Sequence, residues 1–159
     1  MPLLINRQPA ANDSWTLVNE ETLSSTGGDI IVPLALLEAN ADSLQDRKGR
    51  VAVQINGDDN IDALLENPNQ YELIAIDFPV FRDGRGFSLA RLLKRAGFEG
   101  QIRATGDVAH DRLTFMERCG FNAFEISEER YSDESLAVFT EVSVRYQGAA
   151  DDPRPVYHR

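Results

Sequence analysis

Residues 76 to 93 read IDFPVFRDGRGFSLARLL, and the centre of that run packs two arginines, an aspartate and two glycines into the single stretch RDGRG. Arg82 and Arg85 can make forked contacts to an anion, with the backbone N–H groups of a helix opening near Ser88 assisting them. Asp83, Gly84 and Gly86 shape the loop, while Arg103 and Gly106 come from the later segment QIRATGD. These eight residues are the binding candidates. Asp77 and Asp107 each end an apolar run and are the candidates for a general base. Carboxylates beside arginines have depressed pKa values and make poor bases near neutral pH, so catalysis ranks below binding. DGRGFS lacks the Gly-Lys-Ser/Thr ending of a phosphate loop, and GRG lacks the full GxGxxG spacing. The plainer reading has Gly84 and Gly86 permitting a tight turn, Asp83 bonding the backbone, and both arginines solvated.

The elements that must position these groups alternate from Arg50 onward. VAVQIN, ELIAIDF, QIRATGD and AFEI are short and apolar, and each precedes a stretch of helical periodicity. The helical stripes are Ile61, Leu64 and Leu65; then Leu89, Leu92, Leu93 and Ala96; then Ala109, Leu113 and Met116. A fourth follows Ser132, an expected N-cap, with Leu136 and Phe139 inward. Arg95-Ala-Gly97-Phe98 recurs as Arg118-Cys-Gly120-Phe121, as for two helices stopped by a left-handed glycine with an apolar residue folding back. Such alternation implies right-handed crossovers and a mainly parallel sheet.

Side chains alternate across a strand, which splits each segment into two faces. Val51, Val53, Ile55, Ile74, Ile76, Phe78, Ile102, Ala104, Phe124 and Ile126 make one wholly apolar face. The other carries Gln54, Asn56, Asp77, Arg103, Thr105, Asp107 and Glu125 among small residues, and turns polar toward the strand ends. A doubly wound sheet is apolar on both faces. The expected fold is therefore α/β with repeated βα units and helices chiefly on one face, resembling part of a (β/α) barrel. Gln54, Asp77, Arg103 and Glu125 would lie near one another on the reverse face, where they must pair, reach water, or meet a ligand or another subunit. Either an N-terminal arm or a second copy of the chain would cover them.

The chain has 159 residues, 42% of them apolar, which suits one domain over 1–150. Residues 1–28 read as an arm or hairpin anchored by Trp15, 33–39 as a short helix, 50–142 as the βα core, and 151–159 as an extended tail. Sixteen Lys and Arg against 26 Asp and Glu leave a net charge of −10, which argues against nucleic acid or anionic lipid as partner. No apolar run approaches a membrane span and no secretory leader is visible, so a cytoplasmic protein is expected. Cys119 is the only cysteine and His110 and His158 the only histidines, so no metal site, iron–sulfur cluster or other cofactor is expected. Cys119, before Gly120, reads as packed, and His110 as part of a solvated helix face.

IDFPVFRDGRGFSLARLLKRAGF followed by GQIRATGDVAHDRLTFMERCGFNAFEI resembles the bacterial family catalogued as domain of unknown function number nine hundred and thirty-four, over residues 29 to about 139. The matching positions include Asp77, Phe78, Phe81, Asp83, Gly84, Arg85, Gly86, Ser88, Arg91, Arg103, Gly106, Asp107 and Asp111. KRAGF is shorter than the basic helix end common in that family. The resemblance implies a neighbourhood: members are often labelled oxidoreductases and tend to be encoded beside the sulfite reductase hemoprotein. It supplies no catalytic residues. The resulting expectation is an accessory or partner-binding protein of assimilatory sulfite reduction. Its partners would be sulfite reductase or another redox protein, together with a small anion at the strand ends. The alternatives are a small enzyme with an aspartate base at the same site, and an interaction module that forms a homo-oligomer through the polar sheet face.

Overall fold

A computed structural model describes residues 2–132 and 136–158. Eight strands form one sheet: β1 (Leu3–Ile5), β2 (Gln8–Pro9), β3 (Trp15–Leu17), β4 (Asp29–Pro33), β5 (Val51–Ile55), β6 (Leu73–Phe78), β7 (Gln101–Gly106) and β8 (Ala123–Glu125), in the order β2-β1-β8-β7-β6-β5-β4-β3. Strands β3 to β8 run parallel, and β1 lies antiparallel to both β8 and β2. The helices are α1 (Leu34–Ala39), α2 (Ala41–Gln45), α3 (Asp62–Glu66), α4 (Arg85–Arg95), α5 (Leu113–Cys119) and α6 (Val138–Glu141).

The connectivity dictates the shape of the sheet. β2 and β3 occupy opposite edges, yet only residues 10–14 join them. Six Cα steps reach about 22 Å at full extension, whereas eight flat strands at about 4.8 Å spacing would span about 34 Å. The sheet must curl, and it forms a half-barrel with α/β architecture.

The two faces divide as the alternation predicts. Val53, Ile55, Ile74, Ile76, Phe78, Ile102, Ala104, Phe124 and Ile126 share one core with Leu64 of α3, Leu89, Ala90 and Leu93 of α4, and Leu113 and Met116 of α5. The reverse face holds a smaller cluster of Ile31, Ala52, Leu73 and Ala75, closed by Trp15. Asp13 of the crossing arm also reaches this face, where it ion-pairs with Arg103 at 2.7 Å.

Both glycine stops are present. Gly97 and Gly120 have φ of 90° and 121°, and the N–H groups of Phe98 and Phe121 donate to Leu93 O and Met116 O at 3.0 and 3.2 Å. Each phenylalanine is buried, so the backbone closure and the apolar contact come together.

Several bounds differ from expectation. Asp29–Pro33 is an interior strand that ends at Pro33, the N-cap of α1, and β1 to β4 belong to the same sheet as the βα core. Ala109 is extended and His110–Arg112 is a 3-10 turn, so α5 begins only at Leu113. Leu136 and Phe139 pack inward, but the start expected for the fourth helix covers 133–135, outside the described residues. The segment that leads into the tail is docked: Ala150 N donates to Arg118 O at 3.0 Å and Arg118 Nη2 to Gln147 O at 2.7 Å, and Arg118 pairs with Asp151 at 3.5 Å. Among the described residues no helix is long and apolar enough to cross a membrane.

Candidate functional site

The C-terminal ends of β5, β6 and β7 bring Asn56, Asp77 and Gly106 together with the loop 79–84 and the start of α4, where the sequence places its candidates. Asp77 pairs in register with Thr105, whose Oγ1 donates to Asp77 Oδ1 at 3.3 Å, and Gln54 Nε2 donates to Thr105 Oγ1 at 3.3 Å. No arginine ion-pairs with Asp77 among the described residues. Burial raises its carboxyl pKa, and the Thr105 hydrogen bond only partly offsets this. Gly106 makes the close approach here: its φ is 82°, and a Cβ would lie 2.4 Å from Phe78 O and 2.6 Å from Asp77 Oδ1.

Asp107, one strand over, is the opposite case. Its carboxylate pairs with Arg130, which holds its pKa below the usual range. The expectation that arginines depress both aspartates is therefore correct for Asp107 and corrected for Asp77.

The arginines do not form a common clamp. Arg103 is 1% exposed on the reverse face. Its Nη1 donates to Asp13 at 2.7 Å and Glu125 at 3.1 Å, and its Nη2 donates to Asp13 at 3.0 Å. With its amide oxygen facing the guanidinium, Gln101 accepts from Nε and Nη2 at 3.0 and 3.1 Å. All five donors are thereby used, so Arg103 has no N–H left for an anion. Arg85 pairs with Asp83 at 2.8 Å and Asp58 at 2.5 Å. Asp83 also accepts the Arg85 backbone N–H at 3.1 Å, and these bonds hold its pKa near 2. An internal carboxylate thus occupies the opening of α4, where a bound anion was expected. Arg82 is exposed and makes no ion pair among the described residues.

The two loop glycines have different roles from the expected turn. Neither has a positive φ. A Cβ at Gly84 would meet open space, whereas one at Gly86 would lie 2.6 Å from the Phe78 ring, so Gly86 lets α4 press onto β6. Ser88 faces outward, in a groove with Arg91 and Cys119, away from the strand ends.

Sequence reasoning missed Arg112. It is 8% exposed, with its guanidinium carbon 5.0 Å from the Phe78 ring, 4.8 Å from Phe81 and 4.9 Å from Phe87. Nη1 donates to Phe81 O at 2.8 Å, which ties the loop after β6 to the turn before α5. Burial lowers its pKa. The only signal in the sequence is three phenylalanines near RDGRG, and nothing local assigns them a cation.

The family model described as bacterial protein of unknown function (DUF934) matches residues 52–157. The chain belongs to that family. The DUF934 match opens inside β5, later than the expected 29, and runs on through the docked C-terminal segment, so it takes in every loop and helix of the site. A search of the curated proteins finds no match.

Proposed function

We propose that this DUF934 protein is an accessory, partner-binding protein of assimilatory sulfite reduction that acts by docking on a redox protein. The carrying observation is the contrast between its surfaces. On the reverse sheet face Arg103 and Glu125 are spent on an internal pair, while Leu92 of α4 and Phe115 of α5 stand exposed at 39% and 61%, with Phe81 of the strand-end loop at 51%. Large apolar side chains held in water beside arginines favour association over chemistry. The link to sulfite reduction rests on the family resemblance. A small anion fits the reading only at Arg82 and the outer N–H groups of Arg85, since Arg103 is fully engaged. The test is co-purification of the chain with the sulfite reductase hemoprotein, together with the sulfite-reduction rate when the chain is removed. Recovery of the pair and a slower rate are the expected results. No recovery and an unchanged rate would defeat the reading.

One observation favours a second reading, a small enzyme acting on an anionic substrate with Asp77 as general base. Its carboxyl is half-buried, free of arginine pairing, and shifted upward, toward the range where a base is effective. In that case Asp77→Asn abolishes complementation of a sulfate-growth defect and leaves the fold intact. Full complementation by the variant would remove Asp77 from any catalytic role.

A further inference from the structure

The outer surface of α4 and α5 departs from the rest of the molecule in charge. The chain carries −10 overall, yet α4 contains Arg85, Arg91, Lys94 and Arg95 and no Asp or Glu. Two of these cations are engaged locally: Arg85 with Asp83 and Asp58, and Lys94 with Phe98 O at 2.8 Å. Arg91 and Arg95 are exposed and stand one turn apart on the same side of the helix.

A shallow, open groove of about 410 Å³ runs along the outer face of α4, lined by Phe87, Ser88, Arg91, Leu92 and Arg95, with Cys119 of α5 at its edge. Leu92 and the partly buried Phe87 supply its apolar floor. Phe115 lies one turn before Cys119 on α5 and extends the apolar strip. On this face of α4, Arg91 and Arg95 lie between Phe87 and Leu92, so cationic and apolar groups are set side by side. That layout complements an amphipathic helix with acidic residues beside an apolar seam, the helix-in-groove mode of recognition. A second copy of this chain offers no such pairing through the same face, because the face would meet its own arginines.

We propose that the α4–α5 groove docks an acidic amphipathic helix of a partner protein, with an apolar side chain seated between Leu92 and Cys119 and carboxylates on Arg91 and Arg95. The proposal rests on the partner-binding reading above and names the surface it uses.

The probe is a synthetic amphipathic helix with leucines along one face and flanking glutamates, compared with a control peptide carrying lysines in place of the glutamates. The full chain is expected to bind the glutamate peptide, with affinity falling as salt rises. Joint reversal by Arg91→Glu and Arg95→Glu should weaken binding by at least about tenfold. Leu92→Ser should weaken it too, which checks the apolar seat separately. Bound peptide should slow alkylation of Cys119. Failure of the wild-type chain to bind, equal binding of the lysine peptide or by the charge-reversed variant, or unchanged Cys119 alkylation at saturation would each overturn the proposal. The sulfite reductase hemoprotein, run as a second analyte, reads the functional proposal separately. If the peptide binds as expected and the hemoprotein is ignored, the groove stands and the link to sulfite reduction falls.

Discussion

The reverse face of the sheet and the outer face of α4 use the same residue type in opposite ways. Arg103 points into the curl of the half-barrel, where Asp13, Glu125 and Gln101 take every N–H it has. Arg91 and Arg95 point outward from a helix that has no acidic residue to claim them. A count of arginines near a loop therefore does not locate an anion site. Which carboxylate reaches each guanidinium first decides whether it is a structural pin or a contact available to a partner.

The inner half of that comparison breaks most sharply at Arg103. Arg103→Ala removes a buried guanidinium and leaves the partly exposed Asp13 and Glu125 unpaired, and the expected loss is about 3 kcal/mol in urea unfolding. A loss below about 1 kcal/mol would mean that the pairing is incidental. Gly106→Ala comes next, at about 2 kcal/mol or more, because the new methyl meets the Phe78 carbonyl oxygen while the backbone stays left-handed.

Asp77 gives a smaller, pH-dependent effect whose sign follows from its environment. Its folded pKa is raised above the unfolded value, so the folded state holds the proton more tightly. Its contribution is present below the unfolded pKa near 4 and is lost as pH rises through the folded pKa. Asp77→Asn should therefore match or exceed wild type in thermal stability at pH 7, and the difference should vanish near pH 3. The opposite sign would place an unseen cation beside it. On the outer half, Arg91→Glu with Arg95→Glu should shift stability by no more than about 0.5 kcal/mol, measured by the same urea titration. A large loss there would turn those arginines into structural residues and erase the contrast.

What the sequence made legible was local. Period-two alternation assigned Ile74, Ile76 and Phe78 to the helical side and Asp77, Arg103 and Glu125 to the reverse, because neighbouring residues alone set that pattern. The stops at Gly97 and Gly120 were legible for the same reason. What stayed hidden depended on distant partners. Asp13 reaches Arg103 across 90 positions of chain. Arg112 needs rings from β6, the following loop and α4 to become a caged cation. The strand Asp29–Pro33 was hidden differently, since a buried strand running into Pro33 and a helix reads as one continuous apolar segment. Within the site, the loop and both aspartates fell at the strand ends as expected. The grouping of Arg103 with Arg85 failed because one belongs to the pleat of β7 and the other to the first turn of α4.

The pairing of Leu4 with Phe124 carries a consequence for biosynthesis. β1 must wait for its sheet neighbour β8, which is translated some 120 residues later, at about 5–20 residues per second. Until then β1 has only the two-residue β2 to pair with, and the five-residue arm that follows cannot yet cross the curl. Closure of this half-barrel is therefore a late step in folding, and a chaperone that shields β1 should raise the folding yield more than one that acts on the finished βα core.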